Sequence, residues 1–403
     1  MEKNLDMNVS IQNSFNRRHR FHKKIFNLVN FFLLPIKYFS KPPNFPSQPK
    51  KILIANAGHL GDLIICTAAI ESIREKWPEA EIGLLCTSSI EKLSKNFSGV
   101  KKIHYLDHWY IDRSEISLLA KFLKYVFRSQ ALLKQIRAEN YSIAIDLRIW
   151  FPNFIPFLWR TRIPIRIGTD RIGFSALLSK PTPFIYKRMH ESEFQLQILN
   201  SVSHIYGEFI PKSSNLNSQG CYRIELLIIM LQKHGLNYDV KYRLIHVGSS
   251  TTVRDWSVDK WRKLAIELIS SGVVLIFTGS GRRERSIISE IVKELDFCIN
   301  ACDVFALDDL INVIANADLV YSVETSIGHI AGALRVPVVS LYGGTADPLH
   351  WIPLGNVQLV TREIKCSPCF DQRGCNSMGC IQDIEVQDVL SAGNILLSDV
   401  KKI

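Results

Sequence analysis

The sequence predicts an α/β protein of two doubly wound parallel sheets, and three observations carry that expectation. Short β-branched strands alternate with amphipathic helices in two separate runs, one opening at residue 51 and one at residue 242. Glycine-bearing turns close strands just before helices open, as at 56–62 and 279–283. The length of 403 residues accommodates two cores rather than one.

The elements follow in chain order. The segment 41–50, KPPNFPSQPK, holds four prolines and reads as a linker between an N-terminal arm and the body. Lys51–Ala55 is a buried strand, Asn56–Asp62 a turn, and the apolar stretch to Trp77 a helix that Pro78 ends. Glu81–Cys86 and Tyr141–Leu147 are further strands, the second with an acid at its carboxyl end. Between 150 and 240 the pattern weakens, aromatic and proline-rich first and helical around Glu191–Tyr206. From Tyr242 the alternation returns. Tyr242–Val247 is a strand, and Ser257 opens a helix with Trp261, Leu264, Ala265 and Leu268 on one face. Strand Val273–Thr278, a helix from Arg283 to Leu295, a helix Asp308–Ala317 and strand Leu319–Ser322 complete the run. The expected organisation is an arm and linker at 1–50, one domain at 51–225 and a second at 226–403 with a cysteine-rich tail.

Composition narrows the class. A hydrophobic fraction of 47% and a charged fraction of 22% belong to a globular chain. No apolar run reaches the about 18 residues a bilayer span needs, and no cleavable signal is evident. The odd count of 9 cysteines argues against a secreted disulfide framework, so a cytoplasmic setting is expected. Residues 1–50 carry +7 of the formal +11. The basic cluster 17–24 followed by Phe26, Val29, Phe32, Leu33 and Ile36 suits a cationic amphipathic helix, so residues 1–40 are expected to meet an anionic membrane surface; a solvated arm is the alternative. The cluster is short and no nucleic-acid-reading motif follows it, so no nucleic acid partner is expected.

Four loops carry the chemistry. The first, Asn56-Ala57-Gly58-His59-Leu60-Gly61-Asp62, sets two glycines and an acid at a helix N-terminus; Asp62 is either a reacting carboxylate or a capping acid. The second, 248–256 (GSSTTVRDW), offers the hydroxyls of Ser249, Ser250 and Thr251 beside Arg254, a combination suited to a diphosphate. Arg254 has a plainer alternative as a surface ion pair with Asp255 or Asp259. The third, Gly279-Ser280-Gly281 with Glu284, is a glycine turn followed by an acid in the first turn of a helix. The fourth spans 323–355. Glu324, Thr325, Ser326, Gly328 and His329 stand at a helix start where free N–H groups favour an anion, and the Gly343-Gly344-Thr345 turn lets a ligand approach the backbone. Phe151–Trp159 and the basic stretch Arg160–Arg171, with Arg166 and Gly168, are candidate contacts for an anionic acceptor. Cys366, Cys369, Cys375 and Cys380 fall at spacings a structural zinc would accept, and reduced thiols explain them as well.

These loops resemble glycosyltransferase family 9, typified by the heptosyltransferases of the lipopolysaccharide inner core. The family's Asp-Ser/Thr-Gly-x-x-His loop corresponds to Glu324-Thr325-Ser326-x-x-His329, with Glu324 for the usual Asp and Ser326 for the usual Gly. Arg254 stands where the family has a Lys before Trp256. The resemblance covers residues 51–403. It implies the GT-B fold, two Rossmann-like domains facing across a cleft, and an inverting, metal-independent glycosyltransferase with no required cofactor.

On this resemblance Asp62 is the general base, with Gly58, Gly61 and Arg166 on the acceptor side. The donor side comprises Ser249, Ser250, Thr251, Arg254, Gly279, Glu284, Glu324, Thr325, Ser326, Gly328 and His329. The donor would be a nucleotide sugar, ADP-heptose favoured, and the acceptor a lipid-linked saccharide at the cytoplasmic membrane face. Tail cysteines also recur in that family. Two alternatives keep the fold: a nucleotide-sugar epimerase, and a catalytically silent membrane-associated scaffold.

Overall fold

The computed structural model describes residues 27–36, 38, 43–112, 114–171, 173–184, 187–218, 225–237 and 240–400. The chain divides into two compact units, the first ending at Ser213 and the second beginning at Ser214.

The first unit is a parallel sheet of β1 (Lys51–Asn56), β2 (Glu81–Cys86), β3 (Val100–Tyr105), β4 (Ile143–Asp146), β5 (Ile165–Thr169) and β6 (Lys180–Thr182). The strand order β3-β2-β1-β4-β5-β6 reverses direction between β1 and β4. Strand β1 lies at the sheet centre with its last five residues buried, which is why it reads as an unbroken apolar run rather than an alternating one. On one face Leu53, Ala55, Leu85 and Ala144 meet Leu132, Leu133 and Ile136 of the helix Leu118–Glu139, and Phe157 and Leu158 of the helix Ile155–Thr161. The helix Leu60–Lys76 follows β1 and packs with the helix Glu191–Asn200.

The second unit repeats the plan with β7 (Tyr242–His246), β8 (Val274–Thr278), β9 (Cys298–Asn300), β10 (Leu319–Val323), β11 (Val338–Tyr342) and β12 (Val357–Thr361). Its order β12-β11-β10-β7-β8-β9 reverses between β7 and β10. Ile245, Leu275, Phe277, Tyr321 and Leu341 pack against Trp261, Leu264 and Leu268 of the helix Val258–Ser270 and against Val389 and Leu396. Ser257 caps that helix by accepting from the Lys260 N–H at 3.2 Å.

Several elements differ from expectation. The longest helix among the described residues, Leu118–Glu139, falls in a stretch with no element assigned, and the basic stretch expected to contact an acceptor contains β5. The helical segment at 191–206 is two helices, Glu191–Asn200 and Ser203–Tyr206. The proline-rich linker is docked where it is described: Phe45 meets Tyr206 edge-on, and the Tyr206 hydroxyl donates to the Pro46 carbonyl at 2.9 Å. Residues 27–36 are helical, with Leu33 and Ile36 packed against Ile155, Leu177 and Leu178. The basic cluster 17–24 lies outside the described residues.

Candidate functional site

Each unit gathers ionisable side chains at its own reversal point, where the loops after the two central strands diverge and leave a crevice beyond the carboxyl ends. In the first unit these are the loops after β1 and β4. Asp62 occupies the first turn of the helix Leu60–Lys76, and its Oδ2 accepts from the His59 N–H at 2.7 Å. Its Oδ1 lies 2.6 Å from Nη1 of Arg148, and both side chains are about nine-tenths buried. Burial pushes the Asp62 carboxyl upward, but the Arg148 guanidinium and the His59 N–H more than offset it and hold the group below its ordinary value. The result is a buried carboxylate that stays ionised at neutral pH.

Gly58 makes room for this arrangement. A Cβ there would lie 2.4 Å from the Asp62 Cβ and 2.8 Å from Oδ1 of Asn56, which accepts the Gly58 N–H at 2.9 Å. Gly61 sits beside Asp62 in the same helical turn. Arg148 is held from the other side. Its backbone N–H donates to Asp146 Oδ1 at 3.0 Å, and the second Asp146 oxygen accepts from the Phe154 N–H at 2.7 Å. Burial raises Asp146 to about 7 against these bonds.

Arg148 was not singled out from the sequence. The register that sets Ala55 opposite Asp146 carries the missing signal, because it brings the two post-strand loops together. Arg166, by contrast, is committed elsewhere. It lies on β5 and its guanidinium donates to the carbonyls of Ile163, Pro164 and Leu177, so it braces a turn and does not present a free cation. A different arginine of that stretch is framed by aromatics: Arg171 lies 4.1 Å from the Trp150 ring centre and 4.3 Å from that of Phe184. The Trp150 indole N–H in turn donates to the fully buried Glu191 at 2.9 Å.

In the second unit the corresponding loops follow β7 and β10. Arg254 Nη2 lies 3.1 Å from Glu324 Oε1, so the plainer alternative of a surface pair with Asp255 or Asp259 does not hold. Asp255 pairs instead with Arg283. Burial pushes the Glu324 carboxyl up to about 7, with Arg254 opposing. Glu324 Oε2 and Arg254 Nε have no hydrogen-bond partner among the described residues. Thr325 is the N-cap of the helix Ser326–Ala333, yet its side chain makes no capping hydrogen bond. The first-turn N–H groups beside Ser326 are therefore available to an anion. Gly328 and His329 lie within the same turn and the next, both buried. A Cβ on Gly328 would be 3.0 Å from Ser322 Oγ, so this helix sits close against β10.

The remaining donor-side candidates converge less directly. Ser249 turns back on its own loop, donating to the Thr251 carbonyl at 2.8 Å, while Ser250 is exposed. Thr251 caps the short turn Thr252–Arg254. Glu284 lies between this loop and the one after β8: its Oε2 accepts from the Ser280 N–H at 2.8 Å, and Cβ atoms on Gly248 or Gly279 would strike it. Arg283 donates to its Oε1 at 3.3 Å, so Glu284 also serves as the first-turn acid of its helix.

The tail cysteines are placed on a segment whose described contacts are made by its backbone and by glutamine side chains. Cys366, Cys369 and Cys375 are exposed, Cys380 is buried, and no group of three His, Cys, Asp or Glu among the described residues is arranged to hold a metal ion. The segment instead lies across the glycine turn after β11. The Cys369 N–H donates to the Gly344 carbonyl at 2.7 Å, and Gln372 donates to the Thr345 carbonyl at 3.0 Å. Further on, Gln382 donates to the Asp255 carbonyl at 2.8 Å, next to Arg254. The backbone and Gln side chains carry these contacts.

Residues 129–379 match the profile of Glycosyltransferase family 9 (heptosyltransferase). Among curated relatives, lipopolysaccharide heptosyltransferase 3 of Escherichia coli K12 is 24% identical over 310 residues, covering 73% of this chain and 82% of its own. Lipooligosaccharide heptosyltransferase 2 of Campylobacter jejuni is 26% identical over 358 residues, covering 87% and 99%. Among solved structures, a family 9 glycosyltransferase of Veillonella parvula superposes with a TM-score of 0.69 at 16% identity, over 89% of this chain and 100% of that one. The ADP-heptose lipopolysaccharide heptosyltransferase II of Escherichia coli gives 0.66 at 18% identity, over 87% and 99%. A second Escherichia coli heptosyltransferase, solved with ADP, gives 0.63 at 16% over 86% and 99%. The two-domain GT-B fold is common to them and to this chain.

Proposed function

The chain belongs to glycosyltransferase family 9 and is a glycosyltransferase, and from that premise we propose that it transfers a heptose from ADP-heptose to a lipid-linked saccharide of the lipopolysaccharide core. The observation that carries this reading is the pair of half-buried Arg254 with buried Glu324 beside the first turn of the helix Ser326–Ala333, at the β7/β10 reversal. A fixed cation next to free backbone N–H groups is the chemistry a nucleoside diphosphate requires. The names of the relatives, and the ADP bound to one of the solved structures, favour adenosine as the nucleoside and heptose as the sugar.

In the proposed reaction the acceptor hydroxyl oxygen attacks the anomeric carbon from the side opposite the diphosphate. The bond from that carbon to the diphosphate oxygen breaks, configuration inverts, and Asp62 receives the hydroxyl proton. Arg148 keeps Asp62 ionised beforehand, so no deprotonation step precedes the attack. Arg254 and the helix N-terminus hold the negative charge that grows on the departing ADP. Glu284 orders the loops on which the donor would rest.

The test is thermal stabilisation of the full chain by ADP-heptose against UDP-, GDP- and CDP-sugars. A donor at 100 times its dissociation constant adds about 2.7 kcal/mol of stability. A shift selective for the ADP sugar and lost in Arg254→Ala supports the reading, and equal indifference to all four sugars overturns it.

A further inference from the structure

The helix Leu118–Glu139 is buried only along its second half, through Ser129, Leu132, Leu133 and Ile136. Its first half projects apolar side chains into solvent. Leu118 is 69% exposed, Leu119 68% and Phe127 74%, with Phe122 and Leu123 also open. The spacing 119, 123 and 127, with 118 and 122 beside it, puts them on one stripe. Tyr110 and Ile116, also exposed, precede the helix, and Trp109 meets Phe122 edge-on. The helical segment 27–36 adds exposed Leu28, Phe31, Phe32 and Leu34. Its Leu33 and Ile36 are moored on Ile155, at the start of the helix Ile155–Thr161 that also packs against Leu118–Glu139. Both open apolar faces thus belong to segments that pack on the helix Ile155–Thr161.

An exposed apolar helix stripe of this kind on a folded unit marks a contact surface. The charges around it select the occupant. The helix carries Lys121, Lys124, Arg128, Lys134 and Arg137 before its first acid, Glu139. Asp112 and Asp107 neutralise Lys124 and Arg128, and with Glu139 and exposed Glu115 also counted the five cations still exceed the acids by one. A second copy of this face would bring like charges together, whereas an anionic lipid surface accepts both the aliphatic and aromatic side chains and the cations. Trp109 and Tyr110 suit the headgroup boundary, where an amphipathic ring is favoured.

We propose that the stripe Leu118, Leu119, Phe122, Leu123 and Phe127, with Trp109 and Tyr110, docks the first unit on an anionic bilayer surface. The inference rests on the reading of a lipid-linked acceptor and locates membrane contact on the body of the protein, beyond the arm.

The test is flotation of the full chain with vesicles of phosphatidylcholine alone and of phosphatidylcholine mixed with phosphatidylglycerol, for the wild type and for a variant combining Leu119→Ser, Phe122→Ser and Phe127→Ser. Wild type is expected to float with the anionic vesicles, less so at high salt. The triple variant should lower the partition coefficient by about a hundredfold, since each inserted side chain loses its apolar transfer. A melting temperature close to that of the wild type establishes that the variant folds, because Leu119 and Phe127 are mostly exposed and Phe122 makes only an edge-on contact with Trp109. Equal flotation of the two proteins assigns binding to the arm and overturns the proposal. Loss of self-association in the variant, without change in vesicle binding, identifies the face as a contact between copies and overturns it as well. The thermal shift with ADP-heptose is read on the same samples. Vesicle binding unchanged by the triple substitution, with the donor shift retained, rejects the docking surface and leaves the transferase reading standing, and a missing donor shift rejects that reading instead.

Discussion

Asp62 performs two tasks with one carboxylate. One oxygen caps the helix through His59, and the other faces Arg148. The sequence presented capping and catalysis as alternatives, and the geometry allows both. Asp62→Asn preserves shape and the capping acceptor but cannot receive a proton. Turnover should fall by about 10²–10⁴-fold while the donor-induced thermal shift persists. Wild-type turnover in that variant would falsify the assignment. Arg148→Met separates position from charge. Removing the cation lets burial raise the Asp62 pKa, so the acidic limb of the kcat/KM profile should move to higher pH; an unmoved limb removes Arg148 from the mechanism.

Glu324 makes the opposite case. Its folded-state pKa is pushed up to about 7 from an ordinary 4.5, so between those values the folded state holds a proton that the unfolded state has released. Stability from this group is therefore present at low pH and is lost as pH rises through that window. Glu324→Gln should flatten the decline in denaturation midpoint between about pH 4.5 and about pH 7. A decline of undiminished slope would assign it to another group.

At the scale of elements, the helix Ser326–Ala333 depends on small residues. A Cβ on Gly332 would lie 2.3 Å from the Leu354 carbonyl oxygen, and backbone at that distance cannot yield as a side chain can. Gly332→Ala should destabilise the second unit by about 1–3 kcal/mol through overpacking and displace the anion-facing turn. Urea denaturation gives the first effect and the ADP-heptose thermal shift the second, and a variant with both intact would show that the helix can slide.

The elements that could be read from sequence were those whose burial is two-sided. Strands β1, β8 and β10 are buried along nearly their whole length and announce themselves as apolar runs. The helix Leu118–Glu139 could not be read this way. Its first half exposes apolar residues and its second half buries them, so the stretch lacks one consistent face. Strand β3 escaped for a related reason, having one buried residue, His104, among half-open neighbours. Arg254 and Glu324 were both legible as single residues, but their pairing required knowing that β7 and β10 are adjacent. Arg148 had no motif at all, and only the register of β1 against β4 brings it to Asp62.

At the scale of the whole molecule, the same strand order occurs twice, and each copy keeps its ionisable pair at its own reversal point. The Asp62–Arg148 pair is assembled wholly within the first unit, and the Arg254–Glu324 pair wholly within the second. Neither needs the other unit in order to form. Donor recognition and proton acceptance should therefore be separable. Hydrogen exchange of the full chain with ADP alone should slow amides in 248–256 and 324–332 and leave 57–63 and 147–155 unchanged. The backbone groups available to the diphosphate belong to the second unit's loops, and the tail contacts to Gly344 and Asp255 should transmit protection to residues 369–382. Protection of 57–63 by ADP alone would mean that the nucleotide reaches the Asp62 loop directly. The base would then have to be assigned to a carboxylate that ADP does not touch.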